Sequence, residues 1–258
     1  MFRRRARTTT WAYGTRASPS DWVGLSRLWD DPRVARGFRA QLARRRDRLG
    51  AGEAHLGWKL GFGAPAALER LGLTGPLVGY LMRQAVVSAG GSVSVAGWVR
   101  PVAEPEIAVY LSRPLSGGSG REAAKEAIGA VGPAIELADV EFPPDDVEAI
   151  LAANIYQRAV VLGSSREAGA GGDIAGIEAR VLQDGREHAR TDEPEALTGE
   201  LVALVAHVAD LLASAGTALR AGDVVIAGSV VPPLDATAGG EVRLELGRLG
   251  AVEVTILP

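Results

Sequence analysis

The chain has 258 residues, of which 47% are hydrophobic, and a formal net charge of −3 at pH 7. This length and apolar content suffice for one large domain with a substantial core. The absence of cysteine excludes disulfides, thiolate metal sites and cysteine nucleophiles, and it fits a cytoplasmic protein. The weak charge gives little attraction to nucleic acid, and no apolar stretch reaches the length of a membrane span. We therefore expect neither nucleic acid nor a membrane as a partner.

The N-terminal part of the chain divides into a basic segment and a helical one. Residues 1–20 contain five arginines and no acidic residue, and no apolar run follows that could make them a signal, so we expect a disordered tail. Residues 21–50 alternate apolar and charged positions at helical spacing, which predicts a cap of one or two helices. Residues 51–258 are expected to form a β-rich catalytic core, so that residues 21–258 make a single domain.

Strand and helix patterns then follow one another along the core. The longest helical pattern spans residues 195–219, and Asp184-Gly185 is a hairpin signal between two strands. No repeat period is visible. The alternation of strand patterns predicts an α+β fold whose β-core is mostly antiparallel. Strands are predicted around residues 55–62, 76–101, 102–111, 133–142, 158–165, 177–183 and 224–257, with shorter helices around 64–73, 120–128 and 143–157.

Paired carboxylates stand out in the strand VAEPEIAVYL, residues 102–111. Glu104 and Glu106 are two apart and share one face, because successive side chains of a strand point to opposite faces. One interpretation is the solvent face of an edge strand, where Pro105 is tolerated. The other is a site of paired carboxylates, to which Glu136 in the strand PAIELAD adds a third. Converging carboxylates repel unless neutralised, and a hard divalent cation such as Mg²⁺ or Mn²⁺ would neutralise them.

Several other chemistries lack their motifs. The glycine-rich stretches have neither P-loop nor GxGxxG spacing, the three histidines have no zinc-site spacing, and no GxSxG elbow is present. Only Lys59 and Lys125 are lysines among the 28 basic residues. Lys125 lies in a pattern typical of an exposed helix, whereas Lys59 lies inside an apolar strand and is the stronger functional candidate.

Six ordered blocks of sequence resemble the fumarylacetoacetate hydrolase superfamily, and within it the branch of 2-keto-4-pentenoate hydratases and 4-oxalocrotonate decarboxylases. The resemblance implies a mixed β-sandwich roll, and an oligomer of identical subunits that can also associate with a related decarboxylase or hydratase. The blocks are GWKLG (57–61), LGLTGPLVGYL (71–81), EPEIAVYL (104–111), PAIELAD (133–139), AANIYQRAVVLG (152–163) and LRAGDVVIAGS (219–229).

The resemblance also implies a site. It assigns Glu104, Glu106 and Glu136 as ligands of Mg²⁺ or Mn²⁺, and a small 2-oxo acid as the substrate that chelates this metal. Lys59 would bind the substrate or its enolate, because an ammonium and a metal beside one keto oxygen both stabilise an enolate. Further substrate contacts are expected from Asn154 and Ser229.

Two departures from the branch affect the reaction. The sequence has Leu77 where hydratases usually have an aspartate, and Tyr156 where they have a serine; Tyr156 or Arg158 would then take over proton handling. The leading expectation is a metal-dependent lyase of hydratase type acting on an unsaturated 2-oxo acid. Decarboxylation, tautomerisation and C–C bond hydrolysis remain alternatives, the last with Glu53 and His55 as a substitute pair. A non-catalytic partner subunit is a third class.

Overall fold

The structure, a computed structural model, describes residues 25–258; the predicted basic tail lies outside the described residues. A 3-10 helix at Leu25–Asp30 leads into the longest helix of this part. Within the described range, none of the helices is long and apolar enough to cross a membrane. The five α-helices are α1 (Pro32–Gly50), α2 (Pro65–Leu71), α3 (Gly120–Ala127), α4 (Val147–Ala152) and α5 (Leu201–Ser214).

Thirteen strands of the described residues form two sheets, whose pairs are antiparallel except for three. They are β1 (His55–Gly61), β2 (Leu77–Met82), β3 (Val86–Val87), β4 (Ser92–Ser94), β5 (Pro101–Leu111), β6 (Ile128–Asp139), β7 (Gln157–Leu162), β8 (Ala179–Gln183), β9 (Arg186–Thr191), β10 (Val224–Ser229), β11 (Leu234–Asp235), β12 (Gly240–Glu245) and β13 (Ala251–Leu257). The first sheet has the order β2-β1-β10-β5-β6-β7-β3, with β11 also on β5, and the second has the order β4-β13-β12-β8-β9. The parallel pairs are β1 with β10, β13 with β4 and β3 with β7. The predicted α+β roll with a mostly antiparallel core is confirmed.

Strand β5 lies in the middle of the first sheet and not at its edge. It pairs with β6 on one side and with β10 and β11 on the other. Pro105 lies between the last β10 pair, at Glu106, and the first β11 pair, at Ala103, a break in the pairing that accommodates a residue without an N–H. Glu106 is 0% exposed. The interpretation of this strand as a solvent-facing edge is therefore wrong.

Helix α1 supplies the predicted cap and also contributes to the main core. Its Val34 and Phe38 are fully buried, and the Gln41 side chain donates to the Leu151 carbonyl of α4 at 3.0 Å. The predicted long helix over residues 195–219 is shorter, because α5 spans only Leu201–Ser214. Residues 195–200 precede it as a turn, and the Glu195 carboxylate accepts from the Leu201 N–H at 2.7 Å, which caps the helix.

The face of β5 that carries Glu104 and Glu106 continues into a small apolar cluster. Ala108 follows Glu106 on this face, and Ala134 is the β6 partner of Glu106. Apolar side chains thus close the space beyond the glutamates and leave the charged groups at one end of the curled sheet. The fully buried members of this cluster are Leu56, Leu81, Ala108, Ala134, Val160, Val224 and Ile226.

Candidate metal centre and substrate cavity

The three glutamates come together across the β5–β6 pair. Glu104 lies directly opposite Glu136, and Glu106 lies two residues further along the same face. One carboxylate oxygen from each of the three lies within 4.8 Å of the others. Glu106 and Glu136 are fully buried, whereas Glu104 is partly exposed and lines a cavity. Glu106 and Glu136 are therefore shielded from solvent, and the cluster is accessible from the cavity beside Glu104.

Burial and mutual repulsion disfavour the charged form of these carboxylates. Burial, then the charges of Glu136 and Glu104, raise the pKa of Glu106 well above its ordinary value. Burial raises the pKa of Glu136 to about 7, against the lowering effect of Lys59. The Gly228 N–H donates to Glu106 Oε2 at 2.8 Å, but Glu106 Oε1 and Glu136 Oε2 are buried without a hydrogen-bond partner. Such vacant acceptor oxygens fit a hard divalent cation.

Lys59 lies beneath the glutamates with 1% of its side chain exposed. Its ammonium forms an ion pair with Glu136 and donates to the Ile155 carbonyl at 3.2 Å. Burial alone would lower the pKa of Lys59, but the charges of Glu136, Glu104 and Glu106 outweigh burial and raise it. Lys59 is therefore an ammonium donor and not a base. Two of its three N–H groups have protein partners, so one further donor remains, on a side chain that does not itself line the cavity described below.

Small residues around Lys59 allow this close packing. A Cβ at Gly79 would lie 2.8 Å from Lys59 Cγ and 3.0 Å from Asn154 Oδ1. At Gly61 it would lie 2.8 Å from Ile155 Cγ2, and at Gly57 only 1.8 Å from the carbonyl oxygen of β10 that lies beside it. Gly57 and Gly61, on either side of Lys59 in GWKLG, are therefore needed because other segments of the same chain approach them too closely to leave room for a side chain.

The segment after α4 has an unusual backbone. Asn154, Ile155 and Tyr156 have φ values of 56°, 53° and 62°, a left-handed conformation that a β-branched residue rarely adopts. This turn directs the Ile155 carbonyl to Lys59. The Asn154 side chain accepts from the Tyr80 N–H at 2.8 Å and donates to the Tyr80 carbonyl at 2.9 Å. Asn154 thus clamps β2, and this role occupies both polar atoms of the residue expected to bind substrate.

A cavity of about 500 Å³ opens beside Glu104, within the ~300–1,000 Å³ usual for small-molecule sites. Ser229 lines it, as predicted for a substrate contact, and its hydroxyl donates to the Pro105 carbonyl at 3.3 Å. Within the described part of the chain, Glu104 is the one carboxylate on its wall. Much of the wall is apolar, with Leu60, Phe62, Val102, Ala138, Val140 and Ile155.

The two residues expected to handle protons lie in different surroundings. Tyr156 lines the cavity, and its hydroxyl donates to the Phe142 carbonyl at 3.1 Å. Arg158 is 42% exposed, forms ion pairs with Glu141 at 3.1 Å and Asp139 at 3.5 Å, and does not line the cavity. Tyr156 therefore stays a candidate for contact with the substrate, whereas Arg158 belongs to a network of charged side chains at the surface.

The remaining candidates lie away from the cavity. Leu77 is fully buried in the main core and does not line the wall. Glu53 is paired with Arg48 at 2.6 Å, and His55 with Asp223 at 3.1 Å, at the end of β1 opposite to the cavity. The suggested Glu53–His55 pair is therefore wrong, because each side chain is bound to a different partner.

Two arginines were missed by the sequence reasoning. Arg70, in the last turn of α2, and Arg100, directly before β5, both line the cavity. No local motif singles them out in a chain whose basic residues are nearly all arginine. Only the tertiary fold brings them to the same wall.

A largely buried carboxylate triad beside an ammonium and an apolar cavity has the donor set that a divalent cation would need, next to a pocket large enough for a small molecule. A family model described as fumarylacetoacetate (FAA) hydrolase C-terminal matches residues 64–257. The chain belongs to this family, as its sequence blocks predicted.

Relatives in the same branch match over most of the chain. A 4-oxalocrotonate decarboxylase from Pseudomonas sp is 29% identical over 211 residues, 80% of each chain. A 2-keto-4-pentenoate hydratase from Burkholderia vietnamiensis is 30% identical over 209 residues, 79% of each chain. The structure of a 4-oxalocrotonate decarboxylase from Pseudomonas putida, complexed with magnesium and adipate, superposes with a TM-score of 0.79 at 20% identity, covering 95% of this chain and 100% of that one. This last likeness supports the fold.

Proposed function

We propose that the protein is a divalent-metal-dependent enzyme that acts on an unsaturated 2-oxo acid through a stabilised enolate, with hydration as the leading reaction. The observation that carries the proposal is the triad of Glu104, Glu106 and Glu136 with two unsatisfied buried oxygens beside the Lys59 ammonium. These three carboxylates would hold Mg²⁺ or Mn²⁺, since both prefer oxygen ligands. A bound divalent cation supplies Lewis-acid polarisation of the substrate's keto oxygen.

The residues of the chain then have separate tasks. Lys59, held by Glu136 and the Ile155 carbonyl, has one further N–H, which would serve the oxygen that gains negative charge in the enolate from behind the cavity wall. Ser229 would bind the acid head from the cavity wall by redirecting the hydroxyl that donates to the Pro105 carbonyl. Burial raises the pKa of the Tyr156 hydroxyl to about 12, so this group stays protonated and does not act as a base at neutral pH; to donate to the substrate it would have to leave the Phe142 carbonyl.

Relatives named as hydratases match most of the chain at up to 30% identity and one named as a decarboxylase at 29%, so the comparisons support both reactions, and hydration leads as the expectation from the sequence. Decarboxylation is the second candidate, and one observation favours it. Glu104 is the one carboxylate on the described cavity wall, so no second carboxylate is placed there to activate a water. Loss of CO₂ from the substrate also needs a polarised keto group that accepts electrons, but it needs no activated water. A non-catalytic role is less favoured because neither Leu77 nor Tyr156 fills the cavity, which keeps about 500 Å³.

Binding and product analysis test the proposal in turn. Calorimetry should show that oxalate, a mimic of the 2-oxo acid head, binds only with Mg²⁺ or Mn²⁺ present, and that Glu106→Ala abolishes this binding. Absence of metal-dependent oxalate binding by the wild type would refute both the hydratase and the decarboxylase hypothesis. Incubation of a dienoic 2-oxo acid and of an unsaturated 2-oxo diacid with protein and Mn²⁺, followed by assays for hydrated product and for CO₂, then separates hydration from decarboxylation.

The wider setting of the proposal follows from the family and from composition. We propose a homo-oligomer in the cytoplasm, able to associate with a related decarboxylase or hydratase and without a nucleic-acid partner. The absence of cysteine and the weak net charge support the compartment and the lack of a nucleic-acid partner. Light scattering of the purified protein, alone and mixed with such an enzyme, measures both associations.

A further inference from the structure

The floor of the cavity follows the β5–β6 pair away from the glutamates. Three successive pairs on one face of this ladder are Glu104–Glu136, Val102–Ala138 and Arg100–Val140, the last joined by a 3.0 Å hydrogen bond from the Val140 N–H to the Arg100 carbonyl. All of these residues except Glu136 line the cavity. Two residues of an antiparallel strand span ~7 Å, so Val140 lies ~14 Å along the ladder from Glu136. A ligand whose head reaches the glutamates can therefore extend its tail toward Val140.

Val140 begins a short connection that forms one wall of the cavity. This wall segment, residues 140–146, joins β6 to α4, and its Val140 and Pro144 line the cavity. Both ends are anchored, at Val140 by the ladder bond described above and at Asp146, whose carboxylate accepts two N–H groups of the first turn of α4 at 2.9 and 3.1 Å. The middle of the segment holds Pro143 and Pro144, which have no N–H to donate. This part therefore depends on its carbonyls and side chains for anchoring.

Tyr156 supplies that anchor. Its hydroxyl donates to the Phe142 carbonyl at 3.1 Å and lies 3.5 Å from the Pro143 carbonyl oxygen, and its ring packs against the Phe142 ring with centroids 4.8 Å apart. In the described part of the chain, no other hydrogen bond joins Phe142, Pro143 or Pro144 to another element. The Tyr156 backbone is itself fixed, because its carbonyl accepts from the Asp139 N–H at 3.0 Å. Tyr156 therefore fastens the middle of the wall segment beside the cavity that it also lines.

We propose that Tyr156 is a positioning residue: by holding the wall segment in place it determines how tightly the cavity binds the hydrocarbon tail of a 2-oxo acid, and it takes no part in proton transfer. This inference rests on the proposed function, because that function places the acid head at the glutamates. A wall that is already ordered binds a tail without the entropic cost of ordering the segment on binding. Loss of the one neutral hydrogen bond that holds the wall should weaken binding of a tail that reaches it about fivefold.

Oxalate and 2-oxooctanoate, titrated calorimetrically into the full chain with Mg²⁺, test the proposal. Oxalate occupies only the head position, whereas the hydrocarbon tail of 2-oxooctanoate extends toward the wall segment. Tyr156→Phe keeps the ring and removes the hydroxyl, so 2-oxooctanoate should bind about fivefold more weakly and oxalate as in the wild type. Tyr110→Phe is the matched control, because it removes a hydroxyl that donates to the Gly163 carbonyl at 3.2 Å and does not line the cavity. The control should bind both ligands as the wild type does.

Hydrogen exchange measures the anchoring of the wall segment without any ligand. The Asp145 N–H lies in this segment and donates to the Pro143 carbonyl at 3.0 Å. It should exchange several-fold faster in Tyr156→Phe, because the segment opens more often, and at the wild-type rate in Tyr110→Phe. Unchanged exchange in Tyr156→Phe would overturn the proposal even if ligand binding were altered.

The outcomes separate this inference from the function on which it rests. If Tyr156→Phe binds 2-oxooctanoate as tightly as the wild type does, or weakens both ligands alike, the positioning role is overturned and the proposed function stands. Absence of metal-dependent oxalate binding by the wild type removes both proposals together. With a dienoic 2-oxo acid as substrate, Tyr156→Phe should raise KM and leave kcat unchanged. A fall in kcat at unchanged KM would show that the hydroxyl takes part in the reaction, which also overturns the inference.

Discussion

Lys59→Met tests the buried charge pair most directly. Methionine keeps an apolar stem and removes the ammonium that pairs with Glu136 and donates to the Ile155 carbonyl. Removal of one partner of a buried ion pair usually costs about 3–5 kcal/mol, because the other charge is left uncompensated. Glu136 reduces this cost, since its pKa of about 7 lets it bind a proton near neutral pH. We expect a loss of about 2–3 kcal/mol in the free energy of unfolding at neutral pH without metal.

The loss should grow as the pH rises. A carboxyl group whose folded pKa lies above its unfolded value of ~4.3 stabilises the fold below that value, and this stabilisation is lost as the pH rises through the folded pKa. Without Lys59 the folded pKa of Glu136 moves above about 7. Above about pH 7, the free energy of unfolding of the variant should therefore keep falling, by about 1.4 kcal/mol per pH unit, whereas the contribution of Glu136 to the wild type has levelled off. The difference should therefore widen as the pH rises above about 7, by no more than about 1.4 kcal/mol per pH unit.

Urea unfolding followed by tryptophan fluorescence, in buffer with a metal chelator, measures this difference. Lys125→Met is the matched control, because Lys125 is the other lysine of the chain and is exposed on α3. The control should unfold like the wild type at every pH. A loss below about 1 kcal/mol for Lys59→Met, or a loss independent of pH, would refute the reasoning from a buried charge pair.

Three further substitutions address other parts of the site. Glu106→Gln removes one charged ligand, so calorimetry should show at least ~tenfold weaker Mg²⁺ binding, whereas Glu122→Gln, exposed on α3, should bind as before. Gly79→Ala places a methyl group 2.8 Å from Lys59 Cγ and should cost about 1–3 kcal/mol in urea unfolding; an unchanged midpoint would contradict the close packing. His207→Gln replaces a buried ring whose Nε2 contacts a cavity-wall carbonyl at 2.8 Å and should cost about 1–3 kcal/mol. Because burial lowers the pKa of His207, the contribution of this ring to stability should fall as the pH drops below ~6.5, so the wild type should lose part of its advantage over the variant in acid; a difference that does not depend on pH would contradict this role.

The carboxylates and the lysine of the candidate metal centre were predictable because their signals are local. Strand alternation alone puts Glu104 and Glu106 on one face, and a lysine inside an apolar strand is uncommon enough to be noticed. The partnership of Glu136 with Glu104 depends on the register of β6 against β5, which no local pattern reveals. Only the need to neutralise several carboxylates in apolar strands points to it.

The turn after α4 shows where local reasoning failed. The pattern of residues 143–157 favours a helix into Asn154, but α4 ends at Ala152 and three residues take left-handed backbone angles. The contacts to Lys59 and Tyr80 outweigh the conformational cost there. Because those partners are distant in sequence, tertiary contacts override the helical propensity.

The glutamate triad and the cavity wall constrain the reaction differently. The vacant carboxylate oxygens and Lys59 would stabilise an enolate, and hydration, tautomerisation and decarboxylation all use that enolate, so the triad does not choose among them. The wall bears on the choice, because hydration needs a group that activates water and Glu104 is the one carboxylate on the described wall. Tyr156 is not that base, since burial raises its pKa to about 12 and keeps its hydroxyl protonated at neutral pH. Hydrated product would therefore require the water to be activated by the bound metal, whereas release of CO₂ would require no activated water.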